Sequence, residues 1–260
     1  MLKRCLDLVV GSILLVVSLP VLAIAALWIK IETGDPVLFR QMRMGCGFRP
    51  FRILKLRTMR MGVGGPSYTF GRDPRVTRIG YWLRRFKIDE LPQLLNVVKG
   101  EMSLVGPRPV IPELTEEFRE EYTELLCVRP GLTDPATVKY SHESEMLSGS
   151  PDPMRVFKQV VTPDKIRISM AYQRRATVWS DLALMVRTLG VVVGMVRGPA
   201  HIRDAEILVF RPQTSLEFRS RRLEPLPVLI GVNRRRDVQE ESGEMPTMVS
   251  GKRTGSGGWV

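Results

Sequence analysis

From Leu8 to Ile29 the chain carries no charged residue, a run of 22 positions. As a straight helix it would extend about 33 Å, enough to cross a bilayer's hydrocarbon core. This constrains the fold more than any other feature, because in lipid a single segment satisfies its own backbone only as a helix. Pro20 interrupts the run, Lys3 and Arg4 precede it, and Lys30 follows. Cationic flanks belong on the cytoplasmic side, so if both obey, the segment enters and leaves by one face. A helix-break-helix hairpin hinged near Pro20 does this, with Ser18 placed to bond a carbonyl that the proline frees. An unsatisfied group there would cost on the order of 2–7 kcal/mol. Two rival readings remain open. One is a plain spanning helix, which length alone favours. The other is a secretory signal with Ala23-Ile24-Ala25 as cleavage tripeptide, against which the apolar run is overlong and continues past that site.

Charge is distributed as unevenly as hydropathy. The 260 residues hold 39 Lys+Arg and 27 Asp+Glu, net +12, yet residues 1–110 alone hold 18 and 7, net +11. Such an excess calls for an acidic partner: nucleic acid, an anionic membrane surface or a phosphorylated substrate. No nucleic-acid-binding motif accompanies the charge, and its neighbour is a lipid-seeking segment, so no nucleic acid is expected. Cys5, Cys46 and Cys127 are too few and too scattered for a disulfide scaffold or a Cys-rich zinc site, which points to a reducing compartment.

Residues 37–59 alternate short apolar and basic stretches around a Gly-punctuated turn at Arg40–Gly47, predicting a two-strand ribbon that brings Arg52, Lys55 and Arg57 near one another. A solvated strand face would read similarly. Residues 60–71 are glycine-rich and predict a mobile loop. Over Asp73–Phe86, Val76, Ile79, Leu83 and Phe86 fall at helical spacing with arginines on the other faces, a pattern suited to a membrane interface or to a core-facing helix.

The segment Ile88–Glu101 reads as a helix with Asp89 as N-cap, Glu90 in the first turn, Pro92 where no backbone donor is needed and Gly100 as the stop. A cap explains both carboxylates without any function. Context favours another reading: these are two of only seven acids in the first 110 residues, directly after an arginine-rich helix. A carboxylate pair in a basic pocket suits phosphates and a divalent ion. Arg108, between Pro107 and Pro109, is a rigidly mounted phosphate fork.

The run from Asp89-Glu90-Leu91-Pro92-Gln93 through Val105-Gly106-Pro107-Arg108-Pro109 resembles the signature of bacterial sugar transferases, the small monotopic phosphoglycosyl transferases that start cell-surface glycan assembly. Lys3-Arg4 with Asp7, Phe39–Gly45, Lys55–Met59 and Pro130–Thr133 fall in the family's order, so the resemblance covers about residues 1–197. It implies transfer of a sugar-1-phosphate from a nucleotide diphosphosugar, usually a UDP-sugar, onto undecaprenyl phosphate. UMP is released and Mg²⁺ is required, as the first membrane step of exopolysaccharide, capsule, O-antigen or glycoprotein glycan assembly. It implies a re-entrant hairpin with both ends cytoplasmic, hinged at Ser18 and Pro20, on the bacterial inner membrane. By the same resemblance Asp89 is the nucleophile that forms a covalent phosphosugar intermediate and helps hold Mg²⁺, and Glu90 completes the dyad. Lys55, Arg84 and Arg108 match family positions that meet phosphate or nucleotide, and Arg57 of the ribbon is expected beside them. A family arginine falls on Ser141, where Lys139 is the nearest substitute. Leu19 stands where the family has serine directly before the proline. A membrane-bound scaffold without catalysis is the alternative, disfavoured by the intact dyad.

The expected fold is mainly α with a small β element, α+β, in a monotopic membrane protein with interfacial amphipathic helices. Its expected parts are a hairpin over residues 1–36, a catalytic domain over 37–198 and a basic, poorly ordered tail over 199–260. Residues 113–124 predict a solvated acidic helix and 164–197 two helices broken near Thr177–Ser180. His142 and His201 are isolated. The residues leave both a monomer and a homodimer open.

Overall fold

The computed structural model describes residues 2–65 and 73–194. Of the sequence readings, the tail over 199–260, His201 and part of the 60–71 loop lie outside the described residues. The described chain is mostly helical with two small sheets, an α+β fold.

Helix α1 (Leu2–Thr33) is continuous through Pro20, which corrects the expectation of two helices separated by a break. Ser18 is buried, and its hydroxyl donates to the Leu15 carbonyl at 2.8 Å. Proline instead removes the bond to the carbonyl four residues back, that of Val16. The serine thus braces the turn before the proline rather than replacing the lost bond. The helix is long and apolar enough to cross a membrane, and much of its length, including Val16, Val17, Ile24 and Trp28, is exposed.

Both ends of α1 are nevertheless tied to one globular body. At its start, Lys3 pairs with the buried Asp181, and the Arg4 guanidinium donates to the Val97 and Val98 carbonyls at 2.7 and 2.9 Å. Asp7, also buried, accepts from Ser103 Oγ at 3.0 Å and the Leu104 amide at 2.9 Å. At its end, Glu32 accepts from the Arg78 and Ile79 amides at 2.9 and 3.0 Å, serving as an imported cap for the next helix. Between these ties, Gly11 lets the helix lie against Val97, whose Cγ1 would stand 3.2 Å from an added Cβ. Ala25 and Ile29 pack with Leu56, Ile79 and Leu83.

Strands β1 (Leu38–Met44) and β2 (Pro50–Leu56) form the expected antiparallel ribbon, with Phe39 opposite Lys55 and Met44 opposite Pro50. Helix α2 (Arg78–Arg85) starts later than its apolar spacing suggested. Thr77 Oγ1 accepts from the Gly80 amide at 2.9 Å as N-cap, and Val76 is drawn out of the helix into a bridge with Met59. Its inner residues Ile79 and Leu83 face α1, while Tyr81, Trp82 and Phe86 are exposed. Trp82 and Phe86 stack at 6.1 Å, and the Arg85 guanidinium lies over Trp82.

A 3₁₀ turn (Ile88–Glu90) separates α2 from α3 (Gln93–Lys99), which ends at Gly100 in the left-handed conformation, φ 87°. The expected glycine stop is present. Strand β3 (Ser103–Val105) follows, then α4 (Pro112–Glu117) and α5 (Arg119–Leu125), whose glutamates are largely exposed as expected of a solvated acidic face. Strand β4 (Gly131–Thr133) pairs parallel with β3. Helices α6 (Pro135–Lys139), α7 (Glu143–Ser148) and α8 (Pro153–Val156) lead through a π turn (Phe157–Val161) into α9 (Thr162–Gln173). Helix α10 (Val178–Val192) is set off by a capping box between Thr177 and Ser180, where the sequence placed the break. The central core joins Phe51 and Ile53 of β2 with Leu94 and Val97 of α3, Leu104 and Val105 of β3, and Leu184 of α10.

Candidate active site

Asp89 and Glu90 lie in the 3₁₀ turn between α2 and α3, both buried. Neither caps a helix: α3 begins at Gln93, and the residue before it, Pro92, has no side-chain cap. The two carboxylates therefore do not fill the role that local grammar offered them. Their partners come from far along the chain. Glu90 accepts from Lys55 Nζ at 2.9 Å through Oε1 and from Arg108 Nη1 at 3.2 Å through Oε2, and Arg108 Nη2 closes a second contact on Oε1. Asp89 Oδ1 is buried with no hydrogen-bond partner. A buried, unpaired carboxylate oxygen in a basic surrounding is held there at a free-energy cost.

Local burial separates the two acids. The Asp89 carboxyl is pushed above the ordinary carboxylate range, first by burial and then by the neighbouring Glu90 charge. Lys55, Lys87 and Arg84 offset this only in part. Burial acts on Glu90 in the same sense, but Arg108 and Lys55 override it and hold the group well below its ordinary value. Glu90 is thus a fixed anion clamped by two cations, and Asp89 is the acid with a free oxygen. Two carboxylates pushed apart in this way take different chemical roles. Lys55 itself is lowered by burial, which outweighs the attraction of Glu90.

Each clamp residue is positioned by specific packing. Asn96, buried on α3, staples that helix to β2: its amide donates to the Arg52 carbonyl at 2.9 Å, and its oxygen accepts from the Leu54 amide at 3.1 Å. This fixes Lys55, next along the strand, relative to the dyad. Arg108 hangs from the β3–β4 ladder, where Gly106 donates to the Thr133 carbonyl at 3.0 Å and Gly131 to the Pro107 carbonyl at 2.9 Å. The two glycine backbones are so close that a Cβ on Gly131 would meet Gly106 N at 2.1 Å. Arg84 donates from Nε to Thr58 Oγ1 at 2.8 Å, with the Asp89 charge within electrostatic reach.

Two predicted phosphate ligands are placed elsewhere. Arg57 is buried and donates to Thr33 Oγ1 at 2.6 Å, to the Asp35 carbonyl at 3.2 Å and to the Gly34 carbonyl. It straps the end of α1 and does not reach the dyad. Lys139 pairs with Asp164 at 2.9 Å, an acid shared with Tyr140 and Arg167. The cation within electrostatic range of Arg108 on this side is Lys165, paired with Glu143 at 2.6 Å. Lys55, Arg84 and Arg108 are brought to the dyad.

Lys87 is a site residue that sequence reasoning missed. It terminates α2 in the left-handed region, φ 55°, where glycine is the usual occupant and a side chain costs about 1 kcal/mol. Its charge acts on both Asp89 and Glu90. A lysine directly before an acidic turn was the available signal.

Among the described residues, no three His, Cys, Asp or Glu side chains converge as a protein-only metal cage. Magnesium does not need one, since it is commonly held by one or two carboxylates with substrate phosphates and water. The free Asp89 oxygen fits that role; both Glu90 oxygens are taken by cations.

Taken together, the site offers a buried carboxylate oxygen, a fixed counter-anion and several converging cations, a set suited to displacement at a phosphate. The family described as bacterial sugar transferase matches residues 1–195. A UDP-glucose:undecaprenyl-phosphate glucose-1-phosphate transferase of Caulobacter vibrioides is 41% identical over 192 residues, 72% of this chain and 68% of that protein. An undecaprenyl-phosphate glucose phosphotransferase of Komagataeibacter xylinus is 38% identical over 72% of this chain and 35% of its own length. A UDP-N-acetylgalactosamine-undecaprenyl-phosphate N-acetylgalactosaminephosphotransferase of Aeromonas hydrophila is 33% identical over 74% of this chain and 43% of its own. The chain thus spans about two thirds of the first relative and less than half of the other two. With the matched profile reaching from the first residue of α1 past the end of α10, the chain belongs to the bacterial sugar transferase family.

Proposed function

We propose that this protein transfers a sugar-1-phosphate from a UDP-sugar to undecaprenyl phosphate at the cytoplasmic face of the bacterial inner membrane, releasing UMP, as the first lipid-linked step of a surface polysaccharide. The observation that carries the reading is the unpaired Asp89 oxygen beside the clamped Glu90. Asp89 attacks the sugar-bearing phosphorus of the donor. The bond to UMP breaks, and an aspartyl phosphosugar remains. A phosphate oxygen of the lipid then attacks the same phosphorus, forming the diphosphate link and returning Asp89 as a carboxylate. Splitting the transfer lets a water-soluble donor leave before a membrane-bound acceptor arrives. Arg84 and the Arg108–Lys55–Glu90 clamp supply fixed positive charge around the reacting phosphates without reorganising during the step. Magnesium, when bound, neutralises charge developing on the departing phosphate.

The anchor is proposed to be monotopic. Lys3, Arg4 and Asp7 at one end of α1 and Glu32 at the other are bonded to α10, α3, β3 and α2 of one body. A spanning helix would hold those ends on opposite faces of about 30 Å of hydrocarbon, beyond the reach of one domain. With the three exposed native cysteines replaced by serine, cysteines at Leu2 and Asp35 are expected to be labelled equally from the cytoplasmic side. Labelling from opposite sides would restore the spanning helix.

The test of the reaction is UMP release by the full chain in membranes supplied with undecaprenyl phosphate and a panel of UDP-sugars. At least one donor is expected to give lipid-dependent turnover. Failure with all of them would leave the scaffold reading.

A further inference from the structure

We infer that Lys87 positions the phosphate of the lipid acceptor, an assignment that rests on the transfer reaction proposed above. Lys87 follows Phe86 at the end of α2, whose outer surface of Tyr81, Trp82 and Phe86 is exposed and aromatic, with Arg85 over Trp82. Such a surface sits at headgroup depth, the level at which a polyprenyl phosphate presents its charge. Two residues further on is Asp89, so Lys87 stands between the lipid-facing end of α2 and the reacting carboxylate.

The other cations around the dyad are already engaged. Lys55 and Arg108 hold Glu90, and Arg84 is turned inward onto Thr58. The Lys87 side chain is exposed, with no hydrogen bond or ion pair to another described residue. Its backbone takes a left-handed conformation in which glycine would serve without strain. A side chain kept at such a position for its charge fits the tendency of strained backbone to cluster at functional sites. The direction of approach selects the acceptor over the donor: the UDP-sugar arrives from water, whereas the lipid phosphate must come past the end of α2.

The test uses the full chain with a short-chain polyprenyl phosphate and a UDP-sugar that it turns over. Lys87→Asn keeps a residue that tolerates the left-handed backbone. It is expected to raise KM for the polyprenyl phosphate about tenfold, the loss of one charge-assisted contact. KM for the donor and the rate of UMP release with donor alone should change by less than the acceptor KM does. Lys87→Arg should restore the acceptor KM. Lys87→Gly should melt at a higher temperature while showing the same acceptor defect, which separates function from folding. An unchanged acceptor KM in Lys87→Asn, or an equal rise in donor KM, overturns the assignment and leaves the reaction standing. A wild-type chain that releases no UMP overturns the reaction and the assignment with it.

Discussion

Asp89→Asn is expected to abolish turnover, with a loss of at least about a thousandfold, while the protein remains folded and melts at a higher temperature than wild type. The activity loss follows from chemistry: an amide is not a competent nucleophile at phosphorus, and no second carboxylate oxygen is free, because both Glu90 oxygens are held by Lys55 and Arg108. The rise in stability follows from linkage. Burial and Glu90 raise the Asp89 pKa on folding. Such a group favours the fold below the unfolded carboxylate range, and that contribution is lost as pH rises through the raised folded value. At neutral pH the Asp89 charge is therefore a net cost. Its removal should raise Tm. A variant inactive but less stable than wild type would point to a structural role; an active variant would move the nucleophile elsewhere.

Gly131→Ala is expected to have the largest effect on folding. An added Cβ would meet Gly106 N at 2.1 Å and Gly106 O at 2.4 Å, both backbone atoms that cannot rotate away. The β3–β4 ladder must open to admit it, at a cost of about 3 kcal/mol or more, a large share of the ~5–15 kcal/mol that holds a domain folded. A fall in Tm of about 10 °C is expected. Because Arg108 follows Gly106 by two residues, activity should fall even at temperatures where the variant is folded. Gly149→Ala, with nothing within 4 Å of the new Cβ and no positive φ, should be nearly neutral. Equal melting of the two variants would contradict the packing account.

What the sequence revealed depended on the range of the interactions involved. The β1–β2 ribbon, the Gly100 stop and the Thr177–Ser180 break are set by neighbouring residues, and the sequence placed each of them. The role of Asp89 as a helix cap was also a local reading, and it failed because the chain forms a 3₁₀ turn there and α3 begins only at Gln93, while the cations that clamp the dyad, Lys55 and Arg108, lie 34 residues before Asp89 and 19 after. Arg57 looks like a phosphate ligand in a basic segment, and Lys139 like the nearest substitute for a family arginine. Their actual acceptors, the carbonyls after α1 and the Asp164 carboxylate, depend on tertiary placement that no local pattern encodes. Pro20 inside the apolar run predicted a break, yet the helix continues, since Pro20 removes one backbone bond and Ser18 braces the turn before it. The contact between Gly106 and Gly131 left no trace in composition, although it fixes the mount of Arg108.

The central claim is that Asp89 carries the sugar phosphate during transfer, and mass analysis of the protein incubated with donor alone tests it most directly. With no lipid acceptor, wild type is expected to release about one UMP per chain and to gain one phosphosugar on the peptide containing Asp89, with neither event in Asp89→Asn. UMP release that requires the acceptor from the first turnover, or a phosphosugar found on a peptide lacking Asp89, would contradict it.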